Sequence, residues 1–281
     1  MQNNTAQIEF WNSHSGRRWV AYEDELNLVF QNVNSELIRR SQPAPGETVL
    51  DIGCGTGATG RAFSQHLAPG GTVTGLDISA PLLAQAENRA EESETEMRYH
   101  LLDAQVDAIP GGPFDLVVSR FGVMFFSDPV AAFANIHRHM ASDGRLVVAA
   151  WAPIADNPWF KIPRDAAVAQ LGEPDPTNPN APGPLGFQNI DHVVGVLKSA
   201  GFANARGEVC KIMLSHPGPT HKLAALAANL GPAARILKKY DGNSDDLAAI
   251  QDGVLRQLQA FETSRGLNIP ARLNVFEAIR E

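Results

Sequence analysis

Asp51, Asp77 and Asp103 each close an apolar run, and Asp51 is followed by glycines at alternate positions, Gly53, Gly55 and Gly57. In Val49-Leu50-Asp51-Ile52-Gly53-Cys54-Gly55-Thr56-Gly57-Ala58-Thr59-Gly60 the pattern predicts a strand, a tight turn and the start of a helix. A backbone without Cβ bends sharply and lets a ligand approach its amides. The first helical turn adds N–H donors that have no intrahelical acceptor. Two chemistries use such a turn. Gly55, Gly57 and Gly60 satisfy G-x-G-x-x-G, and Asp77 lies twenty residues after Gly57, the arrangement of a nicotinamide dinucleotide site. Asp51 favours the other chemistry, because a carboxylate beside the turn repels a pyrophosphate and attracts a ligand bearing an ammonium group.

S-adenosylmethionine has an adenosine half, no phosphate, and an amino-acid half with such an ammonium, so D-x-G-x-G leans towards it. Residues 49 to 60 resemble the first motif of the class I S-adenosylmethionine-dependent methyltransferases. Thr72-Val73-Thr74-Gly75-Leu76-Asp77-Ile78-Ser79 resembles that family's second strand, Leu101-Leu102-Asp103-Ala104 its third, and Phe114-Asp115-Leu116-Val117-Val118-Ser119 its fourth. Asp143-Gly144-Arg145-Leu146-Val147-Val148 resembles the turn and fifth strand, so the resemblance runs in order over about half of the chain. It implies that Asp77, with Ile78 beside it, holds the two ribose hydroxyls and that Asp103 and Ala104 meet the adenine. It further implies that Gly53 and Gly55 give the close backbone approach, and that Asp51 serves the methionine end directly or through water. Ser119, at the end of the fourth predicted strand, joins the cofactor set.

These residues require an α/β fold to position them. Strand, helix, strand, helix, strand in sequence winds into a doubly wound, mostly parallel sheet, which binds ligands at the carboxyl ends of its strands where the strand order reverses. One crevice would then collect Asp51, Asp77, Asp103 and Ser119. The resemblance implies seven strands, the last antiparallel, with added N- and C-terminal helices as a lid. The expected organisation is one α/β domain. Residues 1–42 form an N-terminal helical lid, and 43–151 the cofactor-binding core. Residues 152–188 are a Pro-rich insertion over the acceptor, and 189–281 complete the sheet with inserted helices. The helix after Gly57 turns Ala58, Ala62, Phe63 and Leu67 inward. The five glutamates between Glu87 and Glu96 read as a solvated face.

Residues 6–40 hold apolar positions that recur at helical spacing from about Trp19 onward, and they predict two helices broken near Ser15-Gly16. Phe10-Trp11 and Trp19, with seven residues between the two tryptophans, resemble the opening of a bacterial small-molecule subgroup related to quinone-biosynthesis C-methyltransferases. That implies N-terminal helices that cover the cofactor and line the acceptor pocket. Trp19 is a candidate cofactor contact, and Trp11 and His14 are candidates on the acceptor side; plain packing is the alternative for the tryptophans. Ser119-Arg120-Phe121-Gly122-Val123-Met124-Phe125-Phe126 precedes a helix start at Asp128-Pro129. Phe121 and Met124 either line an acceptor pocket or belong to the core. The Asn-Pro-Pro-aromatic signature of nucleobase and glutamine methylation is missing here. His137 and His139, two apart on a predicted helix reaching Ala141, face opposite ways and cannot share a metal, and His137 reads as a satisfied core histidine. Trp151-Ala152-Pro153 to Asn157-Pro158-Trp159 resembles the same subgroup. A helix over Asn189–Ala200, a strand near 205–214, helices within 219–264 and a last strand over Arg272–Ala278 are expected.

The chain has 281 residues and 44% hydrophobic content, enough for a full core. No apolar run is long enough to span a membrane and no metal site is read. A net charge of −8 disfavours a nucleic-acid partner, since that affinity comes mainly from phosphate neutralisation. Two cysteines, Cys54 and Cys210, cannot supply a disulfide framework. Cys54 lies where a helix N-terminus activates thiols, but its small size beside glycines explains it as well. The first residues lack a basic start and an apolar segment, so a cytoplasmic protein is expected. The oligomeric state is left open. The reading is methyl transfer from S-adenosylmethionine to a small apolar or aromatic acceptor, with no dedicated base required. The alternatives are a nicotinamide-dependent oxidoreductase and a non-catalytic, cofactor-binding regulatory protein.

Overall fold

The computed structural model describes residues 4–90, 95–176 and 178–281. The glutamates at 91, 92 and 94 of the predicted solvated face lie outside the described residues.

The chain opens with four short helices, α1 (Thr5–Asn12), α2 (His14–Ala21), α3 (Glu23–Val29) and α4 (Gln31–Ser41). Two helices broken at Ser15-Gly16 were expected, and the difference has a local cause. Ser13 is the extended residue between α1 and α2, its hydroxyl accepting from Ser15 N–H. Gly16 lies inside α2, buried under the Trp11 carbonyl, where a side chain would strike that oxygen.

The core follows as β1 (Thr48–Ile52), α5 (Ala58–Leu67), β2 (Thr72–Asp77), α6 (Ala80–Ala90), β3 (Glu96–Leu101), β4 (Phe114–Arg120), α7 (Pro129–Arg138) and β5 (Met140–Trp151). Phe63 and Leu67 of α5 are buried as expected, while Ala62 is only half-buried. Asp128 caps α7 by accepting from Ala131 N–H, with Pro129 in the first turn. That helix ends at Arg138, short of the expected Ala141, because Met140 already pairs with Phe114 as the first residue of β5.

The second half contains α8 (Pro158–Leu171), α9 (Ile190–Ser199), β6 (Ala203–His216), α10 (Thr220–Asn229), α11 (Gly231–Lys239), α12 (Ser244–Leu258), β7 (Glu262–Thr263) and β8 (Gly266–Ile279). The segment expected as a Pro-rich loop is therefore partly the helix α8. It starts on Pro158 and tolerates Pro163 inside, whereas Pro174, Pro176, Pro179, Pro182 and Pro184 all follow its end. α8 packs on α10, α11 and α12.

The main sheet runs β3-β2-β1-β4-β5-β8-β6, with the two-residue β7 added on β8. β1 to β5 are parallel, and β8 lies antiparallel between β5 and β6. The expected seven-stranded sheet with an antiparallel last strand is present, and β7 makes an eighth strand. β6 and β8 are both longer than read from the sequence, because they pair with each other from Ala203 to His216. The order reverses between β1 and β4, and the crevice opens at their carboxyl ends. Among the described residues no helix is long and apolar enough to cross a membrane.

Candidate cofactor and acceptor site

Asp51, the fourth residue of β1, is 1% exposed, and its Oδ2 accepts from Gly60 N–H at 3.1 Å. Its Oδ1 is buried with no hydrogen-bond partner. Burial pushes this carboxyl up to about 7, against the opposing pull of the Arg120 charge and the Gly60 amide. Asp77 closes β2, accepting from Gly55 N–H at 2.8 Å and Ser79 N–H at 2.9 Å. It is half-buried, and desolvation raises it to about 6, with those amides holding it down. Two carboxylates thus flank one glycine turn, an environment hostile to phosphate and complementary to an ammonium and to donating hydroxyls.

The glycines of the turn divide the work. An added Cβ at Gly55, at φ +57°, would meet nothing within 4 Å, so this backbone forms an open cradle. Gly53 is different. At φ +64° its added Cβ would meet Gly122 Cα at 2.6 Å, so its bareness serves the close approach of the β4 turn rather than a ligand. Ser119 is engaged in the same turn: its buried hydroxyl donates to Ile52 O at 2.7 Å and accepts from Gly122 N–H and Val123 N–H at 3.1 and 3.3 Å. Those bonds tie the β4 turn to β1, so Ser119 braces the site from beneath. Cys54 packs beside Gly75, and burial pushes its thiol well up, so it is not an activated thiolate.

Asp103 lies two residues beyond β3 rather than within a strand. It is buried, and its Oδ1 accepts from Gln105 N–H at 3.0 Å and from Asn4 Nδ2 at 3.1 Å. Asn4 Oδ1 in turn accepts from Ser127 N–H at 3.0 Å. Ala104 is buried beside it, its carbonyl accepting from Asn135 Nδ2 at 2.9 Å. α1 is fastened across the neighbouring loop. Asn12 Nδ2 donates to Ile78 O at 2.7 Å, Asn12 Oδ1 accepts from Ala80 N–H at 3.0 Å, and Ser79 Oγ donates to Trp11 O at 2.8 Å. Ile78 is half-buried beneath this clasp.

The clasp holds Trp11 edge-on to Trp19 at 5.8 Å and to Phe125 at 5.2 Å between ring centroids. Both tryptophans are half-buried. His14, by contrast, is exposed at the start of α2. Met124 is 1% exposed and packs in the core, its carbonyl taking Gly183 N–H at 3.0 Å. Phe121 is buried at φ 70°, an unusual backbone state for an aromatic residue, and stacks on Trp151 at 4.4 Å. For both residues the structure selects the packing alternative. His137 is half-buried, contacts Phe202 at 4.9 Å and keeps a buried Nε2 with no partner, so it is not the satisfied core histidine that was expected. A polar surface groove of about 450 Å³ between α4 and α5, lined by Asn27, Gln31, Asn34 and Arg61 among others, includes neither Asp77 nor Asp103.

Three residues at the site escaped the sequence reading: Asn4, Asn12 and Arg120. Arg120, the last residue of β4, keeps a buried Nη1 without a partner. A charged residue inside an otherwise apolar stretch, Ser119 to Phe126, was the available signal. Among the described residues no group of three or more histidine, cysteine or acidic side chains could hold a metal ion.

The buried Oδ1 of Asp51, the cradle at Gly55, the acid that closes β2 and the acid just beyond β3 fit S-adenosylmethionine. The methyltransferase-domain family matches residues 49–144. The malonyl-[acyl-carrier protein] O-methyltransferase of Magnetococcus marinus is 32% identical over 65% of this chain and 70% of its own length. Nocamycin O-methyltransferase of Saccharothrix syringae is 32% identical over 63% of this chain and 66% of its own. The demethylmenaquinone methyltransferase of Thermus thermophilus is 37% identical, with 37% of this chain spanning 47% of that relative. Haemonchus contortus phosphoethanolamine N-methyltransferase 2, solved with S-adenosyl-L-methionine, shares the fold at a TM-score of 0.59 and 18% identity, over 100% of this chain and 60% of its own. The chain belongs to the class I S-adenosylmethionine-dependent methyltransferases, of the bacterial small-molecule type. That membership sets the nicotinamide reading aside.

A pH dependence follows from Asp51. An ammonium seated on Oδ1 favours the carboxylate, so its proton leaves on binding wherever Asp51 is protonated in the free protein, at and below about pH 7. Affinity for S-adenosylhomocysteine is expected to rise from pH 5.5 to about pH 7 and then level off. Calorimetry in buffers of different ionisation enthalpy will report the proton release, and Asp51→Asn is expected to flatten the profile.

Proposed function

We propose that this protein transfers the methyl group of S-adenosylmethionine to a small apolar or aromatic acceptor. The observation that carries the reading is the buried, unpartnered Oδ1 of Asp51 and the open cradle at Gly55, with the Trp11, Trp19 and Phe125 rings packed together where α1 is tied to the segment after β2. When bound, the cofactor supplies a methyl group already activated on a sulfonium. The chain's own part is to bind, align and exclude water. Asp77 would accept the ribose hydroxyls, Asp103 and Ala104 would meet the adenine, and Asp51 would take the ammonium. Trp19 would close over the cofactor, and residues 1–42 with the 152–188 segment would lid the acceptor. Holding acceptor and methyl in line supplies several kcal/mol of the barrier reduction in reactions of this kind. No base is assigned, and a nucleophilic acceptor needs none. The half-buried Trp11–Trp19–Phe125 ring cluster supports a flat, ring-bearing acceptor, a class that includes the quinone named in the Thermus relative.

The test is incubation with methyl-labelled S-adenosylmethionine and a panel of small phenols, quinones and aromatic acids. The expected result is a labelled product formed one for one with S-adenosylhomocysteine. Cofactor binding with no transfer across the panel would favour a non-catalytic, cofactor-binding protein instead.

A further inference from the structure

We infer that Arg120 anchors the carboxylate of the cofactor's amino-acid end, so that Asp51 and Arg120 together form a receptor for a zwitterion. The inference rests on the cofactor reading above and adds a residue to it. In the parallel register Asp51 stands beside Val118, and Arg120, two residues further along β4, shares that face. Both side chains therefore lie on one side of the sheet at the point where the strand order reverses.

Neither side chain is satisfied there. Arg120 lays its guanidinium over the Phe30 ring at 5.8 Å, and Nη2 reaches Asn27 Oδ1 at only 3.4 Å. Nη1 is buried with no acceptor, and no carboxylate among the described residues lies within the 4.0 Å of an ion pair. Asp51 Oδ1 is the matching buried atom with no donor. The two charges favour one another without touching. A buried donor and a buried acceptor left unmade are each costly, and a structural ion pair would have closed the gap. An α-amino acid brings one group for each: its ammonium for Oδ1 and its carboxylate for Nη1. The bound zwitterion adds no net charge to the interior. Arg61, the other guanidinium near the turn, is already engaged with Thr56 O at 2.7 Å and Glu23 Oε1 at 3.5 Å. Arg120 is thus the cation with capacity to spare.

The experiment is calorimetric titration of the full chain and its Arg120→Gln and Arg120→Lys variants with three probes. These are S-adenosylhomocysteine, its decarboxylated analogue, and 5′-methylthioadenosine, which lacks the amino-acid end. The wild type is expected to prefer S-adenosylhomocysteine to the decarboxylated analogue by about tenfold or more, as for a charge-assisted hydrogen bond. Arg120→Gln is expected to weaken S-adenosylhomocysteine by roughly 10- to 100-fold while leaving the other two within about twofold, with Arg120→Lys between. Equal wild-type affinity for the first two probes would overturn the inference even if the variants failed to fold. So would a uniform loss for all three probes in Arg120→Gln, the mark of a structural role. No binding of any probe to the wild type would overturn the cofactor reading and this inference with it.

Discussion

Gly53→Ala is expected to cripple the fold, whereas Gly55→Ala is expected to leave it standing and remove most of the cofactor affinity. At Gly53 the new methyl would meet Gly122 Cα at 2.6 Å, and the approach is equally close from the other side, where a methyl on Gly122 would meet Gly53 Cα at 2.7 Å. Neither turn can retreat, because Ser119 Oγ holds Ile52 O, Gly122 N–H and Val123 N–H at once. The left-handed backbone adds about 1–2 kcal/mol for a residue with Cβ, and backbone overpacking about 1–3 more. A thermal melt should show the loss as a fall of many degrees. Gly55 has the same backbone hand but an open face, so only the first cost applies. Its methyl would stand where the ligand must approach, and S-adenosylhomocysteine binding should weaken by about tenfold or more. Ordinary stability for Gly53→Ala, or unchanged binding for Gly55→Ala, would show that the division of labour between the two glycines is wrong.

Asp77→Ala is the second change with a large expected effect. Its carboxylate is oriented by the Gly55 and Ser79 amides, which leaves lone pairs for the ribose hydroxyls it is proposed to hold. Loss of charged hydrogen bonds of this kind costs roughly 1.5–3 kcal/mol each, so affinity should fall by about tenfold at the least. Asp77→Asn separates charge from shape, since it keeps an acceptor oxygen and loses the carboxylate. An affinity within about twofold of wild type in Asp77→Ala would remove Asp77 from the cofactor site.

The fold was legible because its signals are local. An apolar run, an acid and alternating glycines specify strand and turn within a dozen residues, and Asp77 and Asp103 repeat the theme at the next two strands. What remained hidden depends on register and on contacts distant in sequence. Gly53 and Gly55 look alike in the chain and differ only because Gly122 packs on one of them. The three bonds from the Ser119 hydroxyl to neighbouring backbone likewise join residues that the chain keeps apart. Asn4 and Asn12 reach partners 99 and 66 residues away, and no periodicity encodes such reach. Arg120 acquires a role only once β4 is set beside β1. α8 was masked by the prolines that follow it, and the breaks among α1 to α4 by an apolar spacing that runs on through them. His14 illustrates the converse: a plausible residue type at a plausible place, turned to solvent.

The central claim is that two carboxylates and a bare turn bind an adenosyl amino acid rather than a dinucleotide. Calorimetric titration of the purified chain with S-adenosylhomocysteine and, separately, NADH tests it most directly. Micromolar binding of S-adenosylhomocysteine, with no heat from NADH, is the predicted result. Binding of NADH alone would contradict it, because a pyrophosphate would then be seated beside the carboxylates of Asp51 and Asp77.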